Sequence, residues 1–432
     1  MARDKILSGI DIGSSKITTL IASIEEDGQA RIIGVSTIAS RGLRKGQIVN
    51  IEEATGAISQ SVEAAERMAG TQITRSYISI GGSHIASLNS HGVVAVADPD
   101  KEITDNDVKR VIDAAKAVSL PSSREILHII PRGYIVDGQE GIVDPVNMTG
   151  VRLEVDTHLI TGGSIAIRNL YKCVEELGIE IGGIIFGGLA SSMSVLTDTE
   201  KELGVVLVDI GGGTTDIAVY VEGALSYSSV IPVGAINITK DIAAGLRVSL
   251  ESAEQIKLLV SEQPKTPVYP DDEENKPKGK DKSDDLDVTG LHLQEEIRSV
   301  SRKMLVEGII KPRLNEIFSM VGMEIKKSGF GGMTPSGIVL CGGGAQTVSA
   351  VESARRNLAM SVRIGIARNI SGLIDEITTP TYAASVGLIL YGIKTEKSEG
   401  SSAFTGLSKV SDRLPIKSIA GKVVDLVKSI LP

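Results

Sequence analysis

Two stretches of the chain end an apolar run in Asp, pass through small residues and resume as alternating apolar positions: GIDIGSSKITTLIA (9–22) and LVDIGGGTTDIAVY (207–220). That order is strand, tight turn, strand. Glycine in such a turn permits positive φ and bares backbone N–H groups, so each turn forms a concave nest for a phosphate. The Asp that closes each first strand, Asp11 or Asp209, would meet that phosphate only through a cation. Two such hairpins face to face would hold a nucleotide from both sides. A third glycine turn, at 341–344, follows the apolar strand GIVLC, and its bare backbone can lie flat against a base or a phosphate. In SLESAEQIK (249–257), Glu254 and Lys257 fall three apart on one helical face, able to reach a ribose hydroxyl and an adenine edge. Neither GxxxxGK[ST] nor GxGxxG occurs, which excludes the P-loop and the dinucleotide fingerprint.

The elements around these turns repeat. Asp11 and Asp209 stand 198 residues apart, a domain-sized period, so the chain reads as a duplicated domain with an insertion in its first copy. After the first hairpin a third strand is expected over 29–40, and Asn50 with Glu53 opens a helix carrying Ala54, Ile58, Val62 and Ala65 on one face. A strand over 77–82 follows. Residues 83–164 then change to short strands, turn-rich joints and one helix over 105–118, the pattern of a small inserted subdomain. Residues 165–200 resume the helix and strand pattern before the second hairpin. The stretch 262–287 carries four prolines and fourteen charged side chains among 26 residues, so an exposed, disordered acidic loop is expected there. A helical region, the strand of the third turn, a helix over 379–392 and a polar linker over 394–413 complete the order.

The last segment, LPIKSIAGKVVDLVKSILP, has its own chemistry. Ile416, Ile419, Val423, Val424, Val427, Ile430 and Leu431 recur at helical spacing, while Lys417, Lys422, Asp425 and Lys428 fall on the other side. From Lys409 onward the chain carries +3 on a protein of net charge −9. A terminal helix after a linker, with lysines flanking its apolar face, reads as one that lies in a membrane interface.

A length of 432 residues, with 42% hydrophobic and 23% charged, predicts a globular protein of two or more domains, and the negative charge argues against nucleic-acid binding. Cys173 and Cys341 sit in apolar contexts without zinc-type spacing, which points to a reducing compartment and no structural metal. MARDKILSGIDIG lacks the apolar core and cleavage site of a secretory signal. The longest charge-free stretch, 181–197, holds four glycines and suits a buried strand, turn and helix start rather than a bilayer span.

Together GIDIGSSKI, LVDIGGGTTDIAVY, GIVLCGGGAQ and YAASVGLIL resemble the two phosphate hairpins, the adenosine turn and the second connecting helix of the actin-like ATPase superfamily. Within it, DGQEGIVDPVNMTGVRLEVDTHLIT and FGGLASSMSVLTDTEKELGVVLVDIGGGTTDIAVY resemble the FtsA family of bacterial cell-division proteins, from about residue 6 to 393 and again in the tail. The resemblance implies an α/β actin-like fold: two ribonuclease-H-like domains around a nucleotide cleft, an inserted α+β subdomain and a C-terminal amphipathic helix. The first domain would comprise 1–82 with 165–200 and 371–393, the insertion 83–164, and the second domain 201–245 with 331–370. An outer subdomain over 246–330, the linker and the membrane helix over 414–432 would complete it.

The resemblance further implies ATP with Mg²⁺ in the cleft. Gly13, Ser14, Ser15 and Lys16 would hold phosphates from one side, and Gly211, Gly212, Gly213, Thr214 and Thr215 from the other. Asp11 and Asp209 would hold the waters of Mg²⁺, Glu254 and Lys257 would meet the ribose and adenine, Gly342, Gly343 and Gly344 would line the base, and Asp216 would brace the second turn. Actin and the heat-shock chaperone ATPases place a water-orienting Gln or Glu where this chain has Gly187 and Gly188, so at most a weak ATPase is expected, with nucleotide as a switch. Implied partners are FtsZ, other division proteins, further copies of the chain in a filament, and an anionic membrane at the cytoplasmic face of the bacterial inner membrane. Arg302, Lys303 and Arg313 would receive an acidic, partly apolar peptide. Two other readings stay open: a kinase or phosphatase of the same superfamily, which needs an Asp base over an acceptor hydroxyl, and an assembly factor for a pilus or another envelope machine.

Overall fold

The repeat seen in the sequence becomes two sheets of the same plan. In the computed structural model, which describes residues 5–400 apart from 26, 98–99, 101, 263–283 and 373–374, the strands Lys5–Ile12, Lys16–Ile24 and Ala30–Ala39 run antiparallel in sequence order. Arg75–Ile80 and Glu180–Phe186 add in parallel beside the first of them, and Ile370–Gly372 closes the other edge. The second sheet repeats this: Val205–Ile210, Thr215–Val221 and Ala224–Ile231 form the meander, and Ile338–Cys341 and Val362–Ile364 add in parallel beside its first strand. The registers match as well. Asp11 pairs with Thr18 and Asp209 with Asp216, one pair beyond each turn-flanking pair.

Val205–Ile210 is buried at nearly every position because both faces of its sheet are covered, which explains its unbroken apolar run. On one side of the first sheet, helix Ile51–Ala69 lays Ala54, Ile58, Val62 and Ala65 into the core, and Asn50 caps it by accepting from the Glu53 N–H at 3.3 Å. The second lobe builds its core from Val208, Ile217, Ile242, Ile317 and Phe318, all fully buried.

Three boundaries differ from the sequence expectations. The last helix runs Ala383–Gly400, into the stretch read as linker. Both ends of the expected loop are ordered, because Glu262 completes helix Leu250–Glu262 and Asp285–Asp287 pairs as a strand with Ser299–Ser301. Residues 414–432, with the expected membrane helix, lie outside the described residues. The described residues up to Ile393 form one compact unit. Among the described residues no helix is long and apolar enough to cross a membrane.

The inserted stretch folds as a four-stranded antiparallel sheet in the order Ala86–Ala95, Arg152–Gly163, Arg124–Val136, Gln139–Ile142, backed by helix Asp105–Lys116. Two buried histidines fix it to both lobes. His128 Nε2 accepts from the Phe186 N–H of the first lobe at 3.0 Å. His158 Nδ1 meets Asn89 Oδ1 at 2.7 Å, and its Nε2 meets Ser228 Oγ of the second lobe at 2.7 Å. Ser87 donates to the Ser228 carbonyl at 2.7 Å, and Arg132 Nε to Ser226 Oγ at 3.0 Å. Burial pushes His128 down to about 4 and His158 down to about 3, the latter helped by Arg132 and His128.

This sets a pH dependence whose sign follows from proton counting. In the unfolded chain both rings bind a proton near 6.5, whereas in the folded chain they bind it only near 4 and 3. Protons therefore favour the unfolded state: the stabilisation is intact above pH 6.5 and is lost as pH falls below it. At about pH 5.5 each ring costs about 1.4 kcal/mol. Between about pH 7.5 and 5.5 this loss runs against the gain from the raised Asp209 and Asp216 carboxyls, so the readout is the difference between variant and wild type: on going from pH 7.5 to 5.5, His158→Gln should be spared about 1.4 kcal/mol of the change in stability that the wild type shows. An unchanged slope in the variant would mean that His158 is not the titrating group.

Candidate functional site

The two hairpins close with the same backbone bond, Gly13 N–H to the Lys16 carbonyl at 3.0 Å and Gly211 N–H to the Thr214 carbonyl at 2.9 Å. Both turn tips meet at one cavity of about 610 Å³. It is lined by Asp11, Gly13, Ser14, Ser15 and Lys16 from the first lobe and by Asp209, Gly211, Gly212, Gly213 and Thr214 from the second. Glu254, Lys257 and the turn Gly342–Gly344 close the rest of the wall. Gly342 needs its residue type: its φ is +79°, and a Cβ there would stand 2.2 Å from Asp209 Oδ1.

Each Asp at a strand end is held by a hydroxyl that the sequence reading missed. Ser79 Oγ donates to Asp11 Oδ1 at 2.6 Å while accepting from the Ile12 N–H at 2.9 Å. Ser191, on helix Gly187–Val195, donates to Asp209 Oδ2. Burial raises the carboxyls of both, Asp209 to about 6 with Asp11 adding to the shift, and raises Asp216 well above the carboxylate range with Asp209 and Asp11 next in effect. Lys16 shares the pocket; burial lowers its pKa, against the pull of Asp11 and Asp209. Its ammonium donates to the Thr381 carbonyl at 3.2 Å and lies 4.4 Å from the centroid of the Tyr382 ring. Glu254 and Lys257 are paired at 2.7 Å, and Lys257 also donates to Thr239 Oγ1 at 2.9 Å.

Some residues stand elsewhere than the sequence placed them. Thr215 does not reach the cavity; it is fully buried and donates to the Val233 carbonyl at 2.8 Å. Asp216 does not brace its turn but faces the cavity itself. The cause is register: in a hairpin that pairs Ile210 with Thr215 and Asp209 with Asp216, Asp216 shares the face of Asp209 and Thr215 takes the other. Arg313 is engaged within its own lobe, with two bonds to Asp241 at 2.6 and 2.9 Å and another to Glu316, so it is not the open cation expected for a partner peptide. Lys303 is exposed beside the exposed Met304, and the Arg302 backbone N–H donates to the Asp284 carbonyl at 2.8 Å.

Two meander sheets with paired glycine turns at a common cleft define a protein of the actin-like ATPase fold. Solved structures agree: the PilM–PilN type IV pilus biogenesis complex aligns with a TM-score of 0.61 at 14% identity, over 90% of this chain and 98% of that one. MreB 5 of Spiroplasma citri, bound to AMPPNP, aligns with a TM-score of 0.53 at 12% identity, over 92% of this chain and 99% of that one. Family models narrow the class, with "SHS2 domain inserted in FTSA" matching residues 82–161 and "Cell division protein FtsA" matching 206–387. The cell division protein FtsA of Pseudomonas aeruginosa is 40% identical over 418 residues, 94% of each chain. The chain belongs to the FtsA family of cell-division proteins. Its likeness to the pilus complex is one of fold alone.

Proposed function

We propose that this cell-division protein binds ATP with Mg²⁺ in the cleft, assembles with further copies of itself, and tethers FtsZ to the cytoplasmic face of the membrane through residues 414–432. The observation that carries the nucleotide reading is the convergence of both glycine turns on one cavity with two half-buried carboxyls, Asp11 and Asp209, and the half-buried Lys16. Those residues fit a metal-bound polyphosphate. Backbone N–H groups of the turns and the Lys16 ammonium would meet its anionic oxygens. Asp11 and Asp209, each oriented by a serine and each raised by burial, supply the negative charge that a hydrated divalent cation relieves. A bound nucleotide would supply a charge that draws both lobes onto one ligand, and so favours the closed arrangement.

Family membership supports the division role and the FtsZ partnership; the charge and spacing of 414–431 support the membrane role. The test is flotation of purified FtsZ with anionic vesicles, with and without this chain and Mg-ATP. FtsZ should rise only when the chain is present, and more with Mg-ATP. If the chain floats but FtsZ stays behind, the FtsZ assignment fails; if the chain itself stays behind, the membrane assignment fails.

A further inference from the structure

The chain passes between the lobes at two points that lie side by side. Helix Gly187–Val195 leads from strand Glu180–Phe186 of the first lobe towards Val205–Ile210 of the second, and the return runs from Val362–Ile364 to Ile370–Gly372. The Arg368 N–H donates to the Ser194 carbonyl at 2.9 Å, and a Cβ on Gly365 would stand 2.9 Å from the Cβ of Val195. An apolar cluster packs this crossing, from Ile58 through Phe186 and Val195 to Leu207 and Ala218. Two bodies joined at one place can swing about it. Their angle is fixed only by a contact made elsewhere, and the inserted sheet makes one.

At its root the insert is continuous with the first lobe. It leaves strand Arg75–Ile80 and returns through Gly163 into helix Ser164–Glu175, which buries Ile167 and Leu170 in the same cluster. Its His128 holds the Phe186 N–H, one residue before the cavity-lining Gly187, and stands 6.3 Å ring to ring from Tyr391 of the last helix.

On the second lobe the insert grips the edge strand Ala224–Ile231. Ser226 and Ser228 alternate onto one face of that strand and are both buried, where apolar residues are the usual choice. Ser87 Oγ donates to the Ser228 carbonyl and also accepts from the Ser228 N–H at 3.2 Å, the pair of bonds that a neighbouring strand would offer. Asn89 Nδ2 donates to the Ser226 carbonyl at 3.3 Å, and the Arg132 guanidinium, bonded to Ser226 Oγ, lies 5.3 Å from the centroid of the Phe330 ring. Bonds of this kind exchange for bonds to water at small net cost, so a seat built on them can part and re-form. Among the described residues none from 83–163 lines the cavity, so the seat acts on the angle of the lobes and not on a ligand.

We infer that the inserted sheet is a strap across the two lobes, closed by its seat on Ser226 and Ser228, and that the parting of this seat sets how fast a nucleotide leaves the cleft. The rate of release rests on the nucleotide reading of the cleft; the strap itself does not. While the seat is closed, the turns at Gly13 and Gly212 are held face to face. When it parts, the lobes swing about the crossing and the ligand is uncovered.

The test compares Ser87→Ala/Arg132→Ala with the wild type, both as full chains. The two changes lie in the insert and remove bonds to the second lobe without touching the cavity. Nitroxide labels at Glu63→Cys and Lys326→Cys, exposed positions on helices Ile51–Ala69 and Lys311–Ser328, report the distance between lobes in the absence of nucleotide, because Cys173 and Cys341 are buried. Wild type should give one narrow distance distribution, and the double variant an added longer component. Release of a fluorescent Mg-ADP analogue, chased with unlabelled ADP, should be about tenfold faster in the double variant, with association within about threefold of wild type. Val111→Ala, in the insert's own core, is the stability control: it should lower the melting temperature and leave distance and release at their wild-type values. An unchanged distance distribution in the double variant overturns the strap, whatever the release rate. Equal effects in Val111→Ala overturn it as well, since loosening of the insert would then suffice. A lengthened distance with wild-type release overturns the control of release alone. Wild-type chain that fails to bind Mg-ADP removes the nucleotide reading, and the distances still decide the strap.

Discussion

Gly212→Asp should abolish Mg-ATP binding and leave a folded protein. The position is constrained twice. A Cβ at 212 would stand 2.5 Å from the Cβ of Ser15, so any side chain forces apart the two turn tips that must close on one ligand. The added carboxylate would then face phosphate oxygens. At a separation of about 4 Å and an effective dielectric of about 20, that like-charge contact costs about 4 kcal/mol, roughly a thousandfold in affinity. The fold should survive because Gly212 sits between strands, in the turn Gly211–Thr214, and not within a core. Asp209→Ala is the complementary case. It removes a carboxyl whose ionised form is penalised by burial, so apo stability should change little, the relief being offset by the orphaned Ser191 hydroxyl. Mg-dependent affinity should nonetheless fall by about ten- to a hundredfold. Calorimetric titration of each variant with ATP, with Mg²⁺ and with EDTA, separates the two effects. Wild-type Mg-ATP affinity in Gly212→Asp would remove the second turn from the binding site.

The hairpins were legible in the sequence because their signal is local: an apolar strand, an Asp, a glycine turn and a second alternating strand fall within fourteen residues, twice. The register of the hairpin was also there to be read. A turn that pairs Ile210 with Thr215 must set Asp216 beside Asp209, and the misplacement of Thr215 and Asp216 was an error of parity. Ser79 and Ser191 were not legible in the same way. They reach Asp11 from 68 residues away and Asp209 from 18 residues away, on a strand and a helix whose own patterns state only burial. A buried serine carries no signal of which acid it will meet until the sheet order is known. Arg313 failed for the opposite reason: as a cation on a helix it looked available, and only the approach of helix Ala235–Leu246 brings Asp241 to it. The doubling of the domain was visible as a period, whereas the polar seat of the insert on both lobes depends on histidines whose partners, Phe186 and Ser228, lie 58 and 70 residues away along the chain.

Membrane attachment should be lost when Val423 and Val427 are both changed to Glu, with the nucleotide cleft unaffected. Residues 415–431 wound as a helix make a rod of about 25 Å, and these two valines fall four apart at the middle of its apolar face. Glutamate there puts charge where acyl chains would lie, at roughly 2 kcal/mol or more per site, so the pair should reduce vesicle affinity by about a thousandfold. The lysines act differently. Lys422 and Lys428 flank the apolar face, and removing their charge should weaken binding by about 1 kcal/mol each, only on vesicles that contain anionic lipid. Neutral vesicles thus separate the apolar contribution from the electrostatic one. ATP binding is the internal control, because among the described residues the cleft is lined by ones between Asp11 and Ala384. In a density gradient the double Glu variant should stay at the bottom while still titrating with Mg-ATP as the wild type does. If it floats, the segment is not the tether; if it stays down but has also lost Mg-ATP binding, the helix packs on its own protein, and its apolar face belongs to a core.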